Sequence, residues 1–247
     1  MISPEHRVTP DQLRLLLTDT WKLLRDIAPD QIERDPWHLL LAAFVARGLS
    51  DLRAIRVLAC EECGEAAVVV TRAFAEVVVT ASFISTEPTR LAEEYIRQGS
   101  LRGLWEATRL GDVSPDIAES LDLPRRRQIA ASIPGVKAKH AQKGKAAWDY
   151  SFEDMAAALG ANVISVAYAD LSDVVHGNAL SVAQRFAASE TEGTFYAGPM
   201  WDYLWKAQYF GVVFGAHLCE VANQVFGRGM DARINAIVEA LKGPDHE

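Results

Sequence analysis

The feature that most constrains this chain is the stretch 163–177, an apolar run of 15 residues that polar side chains interrupt at regular intervals. Ser165, Tyr168, Ser172 and His176 recur every three or four residues, and on an α-helix that spacing places all four side chains on one face. A buried polar side chain must find a hydrogen-bond partner or it destabilises the fold. We therefore expect the rest of the chain to form a helical scaffold that supplies those partners.

The composition supports an all-α fold. The chain has 247 residues, of which 49% are hydrophobic and 23% charged, and this length suffices for a large core. Ala, Leu, Glu and Arg recur at helical spacing, and no strand-like alternation stands out. We expect a single-domain helical bundle over residues 1–247, with two or more long antiparallel core helices. An N-terminal helix would lie in 1–34, the core bundle in 35–227 and a C-terminal helix in 228–247.

Secreted and membrane-spanning classes are not indicated. Residues 1–10 are polar, unlike a secretory signal. The longest apolar candidate, 66–84, is interrupted by Arg72 and Glu76, so it falls short of the roughly 18 apolar residues of a membrane span. Cys60, Cys63 and Cys219 are too few for a disulfide framework. A cytoplasmic protein with reduced cysteines and no membrane contact is the expectation.

Capping residues predict where the helices begin. Thr9 precedes Pro10 and stands three residues before Gln12, which is a capping-box pattern. Asp35, before Pro36, predicts a second helix that stops near Gly48. The next helix would run from 52 to about 85 with a bend at Gly64. A polar loop over 188–199 would precede a long helix over 200–226.

Arg72 and Glu76 lie in the most apolar part of the chain, four residues apart. Arg and Glu are almost never buried unpaired, and the spacing places both side chains on one helix face. Helical bundles build sites from the side chains of facing helices, so these two could meet Tyr168, Ser172 and His176 in a polar pocket. His217 and Glu220 of the last long helix could contribute to it.

Such a pocket would support acid–base chemistry. His176 could transfer a proton near neutral pH, Arg72 could hold a phosphate or carboxylate through two parallel bonds, and Glu76 could orient Arg72. Tyr168 and Ser172 would position the substrate. The alternative remains open that Arg72 and Glu76 pair only with each other, and that the remaining polar groups bond backbone carbonyls.

A basic segment interrupts an otherwise acidic chain. The net charge is −8, yet the segment 125–148 contains seven Lys or Arg residues and no acid. Lys137 and Lys139 are therefore candidate contacts for phosphate. The same composition is also typical of a solvated surface loop.

Other chemistries lack their motifs, so we expect no cofactor and no metal. No Glu-x-x-His pair is present, as a di-metal bundle would require. The serine-hydrolase motif Gly-x-Ser-x-Gly and phosphate-binding glycine loops are absent too.

The motifs Arg72-x3-Glu76 and Tyr168-x2-Leu-Ser172-x3-His176 resemble those of a bacterial family called domain of unknown function 5677, over roughly residues 40–226. That family has no established activity to carry over. More weakly, the chain is similar to the HEPN superfamily of helical nucleotide-binding proteins and ribonucleases, which often serve in toxin–antitoxin and antiphage systems. The HEPN motif places His four to six residues after Arg on one helix, whereas here Arg72 and His176 would have to meet across helices.

Two functional hypotheses result. The HEPN resemblance implies a nucleic-acid-directed or nucleotide-binding protein of a bacterial stress or defence system, acting on RNA without a metal. The competing hypothesis is a non-enzymatic scaffold that acts as a homo-oligomer, such as a dimer, or as a partner-binding module. Its contact surface would be the aromatic helix that carries Trp201, Tyr203, Trp205 and Tyr209.

Overall fold

Helices make up nearly all of the chain described by a computed structural model, which covers residues 8–97, 99, 150–175, 186–188, 193–195 and 201–242. Residues 88–97 are helical as well. The other helices and the two strands are α1 (Pro10–Ile27), α2 (Pro36–Cys60), α3 (Gly64–Thr86), α4 (Phe152–Ala158), α5 (Asn162–Val175), β1 (Phe186–Ala188), β2 (Gly193–Phe195), α6 (Trp201–Phe226) and α7 (Asp231–Lys242).

The long helices α2 and α6 pack against each other in opposite directions. A Cβ atom built on Gly211 would lie 3.4 Å from Ile55, and one built on Gly48 would lie 2.5 Å from Leu218. Positions late in α6 therefore face positions early in α2. The prediction of an all-α bundle with long antiparallel core helices is confirmed.

The core lies where α6 packs against α1, α2 and α3. Its largest fully buried side chains include Phe74 of α3 and Phe214 of α6, whose rings meet edge to face with centroids 6.4 Å apart. Helix α5 packs on the outer side of this group, against α3. This arrangement places the polar face of α5 opposite α3.

Helix α3 is, in the described part of the chain, the one helix long and apolar enough to cross a membrane by length and composition alone. Its most apolar 18-residue window is 67% buried inside the protein. Burial of that extent is what a central core helix shows.

The predicted starts of the first two helices are confirmed. The Thr9 hydroxyl accepts a hydrogen bond from the Gln12 backbone N–H, and the Gln12 side chain accepts one from the Thr9 N–H. The Asp35 carboxylate accepts hydrogen bonds from the backbone N–H groups of Trp37 and His38. Each cap satisfies donors that the first helical turn leaves without partners.

The predicted stop near Gly48 is wrong, because α2 runs through this residue to Cys60. Gly48 is required for close packing, since a Cβ there would meet Leu218 and Phe74. The break comes instead at 61–63, where Glu62 adopts a positive φ of 57°. Gly64 is then the first residue of α3 and marks no bend.

The predicted polar loop over 188–199 is partly wrong. Strand β2 lies within this range and pairs antiparallel with β1, with Phe186 opposite Phe195 and Ala188 opposite Gly193. The strongly polar tetrapeptide 189–192 separates the two strands in sequence. Three-residue strands are too short to produce a readable alternation pattern.

Candidate functional site

Arg72 lies on the side of α3 against which α5 packs, and it is the centre of a cluster of polar side chains. Its guanidinium Nε donates a hydrogen bond to Ser172 Oγ at 2.9 Å. Its Nη2 donates to the Tyr168 hydroxyl at 2.6 Å and lies 3.4 Å from Glu76 Oε1. The structure therefore brings together four residues that the sequence analysis had placed on two separate helices.

The Tyr168 hydroxyl connects the cationic and the anionic side chain of this cluster, Arg72 and Glu76. It accepts the hydrogen bond from Arg72 and donates its own proton to Glu76 Oε1 at 2.8 Å. Burial raises the pKa of the Tyr168 phenol, and the neighbouring Glu76 carboxylate raises the pKa further. The phenol therefore stays protonated at neutral pH and remains a donor toward Glu76.

Aromatic packing fixes the position of the Tyr168 ring. The ring stacks on Phe152 of α4, with centroids 3.7 Å apart and planes inclined by 16°. The Arg72 guanidinium carbon lies 4.8 Å from the centroid of the Tyr168 ring, within cation–π range. The guanidinium is thus held both by polar atoms and by the ring.

The cluster is partly open to solvent. The Arg72 side chain retains 24% of its exposure and the Glu76 side chain 48%. Within the described residues, the Nη1 amino group of Arg72 forms no hydrogen bond, since Nε and Nη2 make the contacts described above. An anion that approached from solvent could bind this amino group without displacing an existing partner.

Several predicted site residues are not part of the cluster that the structure describes. His176, Lys137 and Lys139 lie outside the described residues, so their assignment to the site stays a prediction. His217 and Glu220 do not converge on Arg72 in the described part of the chain. Instead they pair with each other on α6, with His217 Nδ1 3.3 Å from Glu220 Oε2, because their i,i+3 spacing lets them meet on the exposed face.

Two contacts that support the site are not predicted by the sequence. One is the stacking of Phe152 on Tyr168, for which the sequence carries no signal beyond two aromatic residues. The other is the ion pair between Asp170 of α5 and Lys206 of α6, whose side-chain atoms lie 2.9 Å apart. Asp170 follows Tyr168 by two residues, and that spacing places its side chain off the polar face of α5, so the sequence pattern does not predict the ion pair.

A different group of side chains could hold a metal ion. Potential ligand atoms of Glu33, Asp35 and His38 all lie within 4.8 Å of one another. They line or adjoin a cleft of about 430 Å³ between the α1–α2 connection and the end of α6. The Asp35 carboxylate, however, already caps α2 and contacts the His38 ring, so the present geometry serves the helix start.

Comparison with known proteins identifies a family and nothing more specific. Residues 38–194 match the model of a Family of unknown function (DUF5677). The matched range covers more than half of the 247 residues and contains every member of the Arg72 cluster. No curated protein matches the chain, and no solved structure does so either.

Proposed function

The chain belongs to the family of unknown function DUF5677, and from that premise we propose that it binds RNA or a nucleotide through a phosphate contact at Arg72. The observation that carries the proposal is the fixed and partly exposed guanidinium of Arg72. Three polar side chains hold it in one orientation while one of its amino groups has no partner among the described residues. A pre-oriented guanidinium is well suited to phosphate oxygens.

The cluster around Arg72 supports an electrostatic role. Glu76, 3.4 Å away, keeps the guanidinium oriented, and the neutral Tyr168 and Ser172 hydroxyl groups surround it without adding charge. The Ser172 hydroxyl accepts from Nε, on the edge of the guanidinium away from Nη1, so it orients Arg72 and leaves Nη1 to the phosphate. Lys137 and Lys139 supply positive charge elsewhere in the sequence, where they would attract the nucleic-acid backbone non-specifically.

Cleavage of RNA is the reaction that this residue set would support best. The imidazole of His176 would accept the proton of a ribose 2′-hydroxyl as its oxygen bonds to phosphorus. The bond from phosphorus to the 5′-oxygen would break, and the leaving oxygen would take a proton from water. Arg72 would stabilise the charge that develops on the non-bridging oxygens. His176 follows Ser172 by four residues, and its place in this reaction rests on that spacing.

Fluorescence anisotropy of a labelled single-stranded RNA tests the binding step. We expect Arg72→Gln to weaken binding at least about tenfold, equivalent to about 1.4 kcal/mol. The matched control is Arg233→Gln, which removes the same charge from an Arg that pairs with Asp26 between α7 and α1 at 3.0 Å. The control should change the affinity by less than about twofold, as expected for an exposed pair.

Salt and the His176→Ala variant separate binding from chemistry. Binding should weaken steeply as salt concentration rises, because phosphate contacts release counterions. His176→Ala should retain RNA binding and lose cleavage. Salt-insensitive binding, or equal affinities of the Arg72 and Arg233 variants, would contradict the phosphate contact.

One observation favours a second candidate, an interhelical strut. Arg72 joins residues 96 and 100 positions away in sequence, so its bonds hold α5 against α3. If the protein is a scaffold, its functional species is an oligomer or a partner complex. Arg72→Gln would then lower the melting temperature of the protein. A large loss of stability without any RNA binding by the wild type would favour this function.

A further inference from the structure

Two buried polar atoms, on side chains at a pocket between α1 and α6, have no hydrogen-bond partner in the part of the chain that the structure describes. They are Oε1 of Gln208 and Nε of Arg14, and both residues line the same cavity of about 120 Å³. Gln208 is only 2% exposed. Buried polar atoms nearly always have hydrogen-bond partners, because the loss of water is otherwise uncompensated. Two side chains that line one cavity, each with a polar atom unpaired among the described residues, indicate a place for a molecule that offers the complementary pair.

Aromatic side chains form part of the wall of this cavity, which we call the α1–α6 pocket. Trp201 and Trp205 line it four residues apart on α6, the spacing that places two side chains on one helix face. The Trp205 ring is held in place, since its Nε1 donates to the Val8 carbonyl at 3.2 Å and its face stacks on Tyr209. Indole surfaces favour a flat, unsaturated ring as the ligand.

Size and charge restrict the ligand further. A cavity of about 120 Å³ is well below the 300 to 1,000 Å³ of typical drug-sized sites, so it suits a single ring. Arg14 and Asp202 both line the pocket and carry opposite charges. Their balance favours a neutral polar ring over a phosphate or an ammonium ion.

We propose that the α1–α6 pocket binds a small cyclic amide of the pyrimidine-base type, such as uracil. The ring N–H would donate to Gln208 Oε1, and an adjacent ring carbonyl would accept from Arg14 Nε–H. Both atoms would then be satisfied beside the two indoles of α6. The proposal uses none of the Arg72 cluster, so it stands independently of the RNA phosphate contact.

Tryptophan fluorescence gives a direct test, because two indoles line the pocket. Uracil should change the emission saturably, with a dissociation constant below about 1 mM. The matched probe is 1,3-dimethyluracil, which keeps the ring and its carbonyls but has no N–H to donate. It should bind at least about tenfold more weakly. A fluorescence change that does not saturate with uracil, or equal affinity for uracil and 1,3-dimethyluracil, would overturn the proposal.

Gln208→Leu tests the residue that defines the pocket. The variant should bind uracil at least about tenfold more weakly, while its melting temperature equals or exceeds that of the wild type, since an unpaired buried acceptor is removed. Gln224→Leu makes the same change at an exposed site of α6 and should bind as the wild type does. A Gln208→Leu protein that binds uracil as the wild type does would refute the assignment. A destabilised Gln208→Leu protein, together with no uracil binding by the wild type, would also refute it, because Gln208 Oε1 would then bind an enclosed water.

Three further measurements complete the test. Arg14→Met removes the other unpaired atom, from a side chain that is 42% exposed, and it serves as the test variant if Gln208→Leu fails to fold. Arg14→Met should also weaken uracil binding. Uridine distinguishes the source of the ring: affinity equal to that of uracil assigns the pocket to a nucleoside, whereas weaker binding assigns it to the free base. Arg72→Gln should bind uracil as the wild type does, so failure of one proposal is distinguishable from failure of the other.

Discussion

The Tyr168 hydroxyl determines how the polar cluster is hydrogen-bonded, because it accepts one hydrogen bond and donates another. It accepts from Arg72 and donates to Glu76, so a single oxygen atom fixes the relative positions of a cation and an anion. A phenol suits this position because its ring also stacks on Phe152. A serine at this position could not fill the same space, and a carboxylate would add a second negative charge.

Tyr168→Phe removes this oxygen and leaves the ring in place. We expect the free energy of unfolding to fall by about 1–2 kcal/mol, because Arg72 and Glu76 each lose a partner. Urea denaturation measures the change. Tyr209→Phe is the control, since the Tyr209 hydroxyl forms no hydrogen bond within the described residues and its ring is stacked similarly. Equal losses in the two variants would show that the Tyr168 hydroxyl contributes nothing particular.

The same residue predicts a pH dependence. The pKa of Tyr168 is raised in the folded protein, so above about pH 10 the unfolded chain releases a phenol proton that the folded chain still holds. The stabilisation is complete below the unfolded pKa and is lost as pH rises through the folded pKa. Between pH 9 and 11.5, roughly the window around that unfolded value, wild type should lose more stability than Tyr168→Phe. Parallel curves for the two proteins would contradict the raised pKa.

At the scale of elements, glycine allows α6 to approach its neighbours closely. A Cβ built on Gly215 would lie 2.5 Å from Cγ2 of Thr20 and 3.2 Å from Leu52. Thr20 cannot move aside easily, because it is fully buried and its hydroxyl donates to the Leu16 carbonyl at 2.7 Å. The contact between α1 and α6 therefore depends on the missing side chain at Gly215.

Gly215→Ala should destabilise the protein by about 1–3 kcal/mol through overpacking. Adding Thr20→Ser should recover part of this loss, since it deletes the clashing methyl group and keeps the hydroxyl bond to Leu16. A double-mutant cycle by urea denaturation measures the coupling. Gly99→Ala is the control, because nothing lies within 4 Å of its built Cβ. Additive effects of the Gly215 and Thr20 substitutions would rule out the clash.

The sequence predicts helix starts better than helix ends. The caps at Thr9 and Asp35 are correct because capping is a local interaction between residues two or three positions apart. The error at Gly48 has a non-local cause: the low helix propensity of glycine is outweighed by packing against Leu218, far away in sequence. Local patterns do not contain that information.

For the candidate site too, the sequence predicts what depends on local spacing and does not predict what depends on packing between helices. The spacings of Arg72 with Glu76, and of Tyr168 with Ser172, predict which residues share a face. That Nε of Arg72 meets Ser172 while Nη2 meets Tyr168 depends on how α5 is rotated and shifted against α3. The rotation results from packing of many apolar side chains, among them Phe152 against the Tyr168 ring, and no short motif encodes it.

At the scale of the whole molecule, the three cysteines report on global opening. Cys60 and Cys63 are exposed, whereas Cys219 is buried. Burial raises the pKa of the Cys219 thiol to about 12, and the thiol lies 4.0 Å from the Thr20 carbonyl oxygen. A reagent can reach Cys219 as a thiolate only when α1 and α6 separate.

Titration with a chromogenic disulfide at neutral pH should therefore show two fast thiols and one slow thiol. The slow rate should increase with denaturant in step with global unfolding. The double substitution of Cys60 and Cys63 by Ser should remove the fast phase and leave the slow one unchanged. Three thiols that react together in native buffer would contradict the packing of α1 on α6.

The pairing of α1 with α6 has a consequence for synthesis of the chain on the ribosome. Thr20 and Cys219 are 199 positions apart, so α1 emerges long before the helix that covers part of its apolar face. Translation at roughly 5–20 residues per second would leave that face without α6 for about ten seconds or more. Loop closure over such a separation makes native folding slow for a helical protein. The nascent chain should accordingly be a good client for chaperones that shield apolar helices until α6 is made.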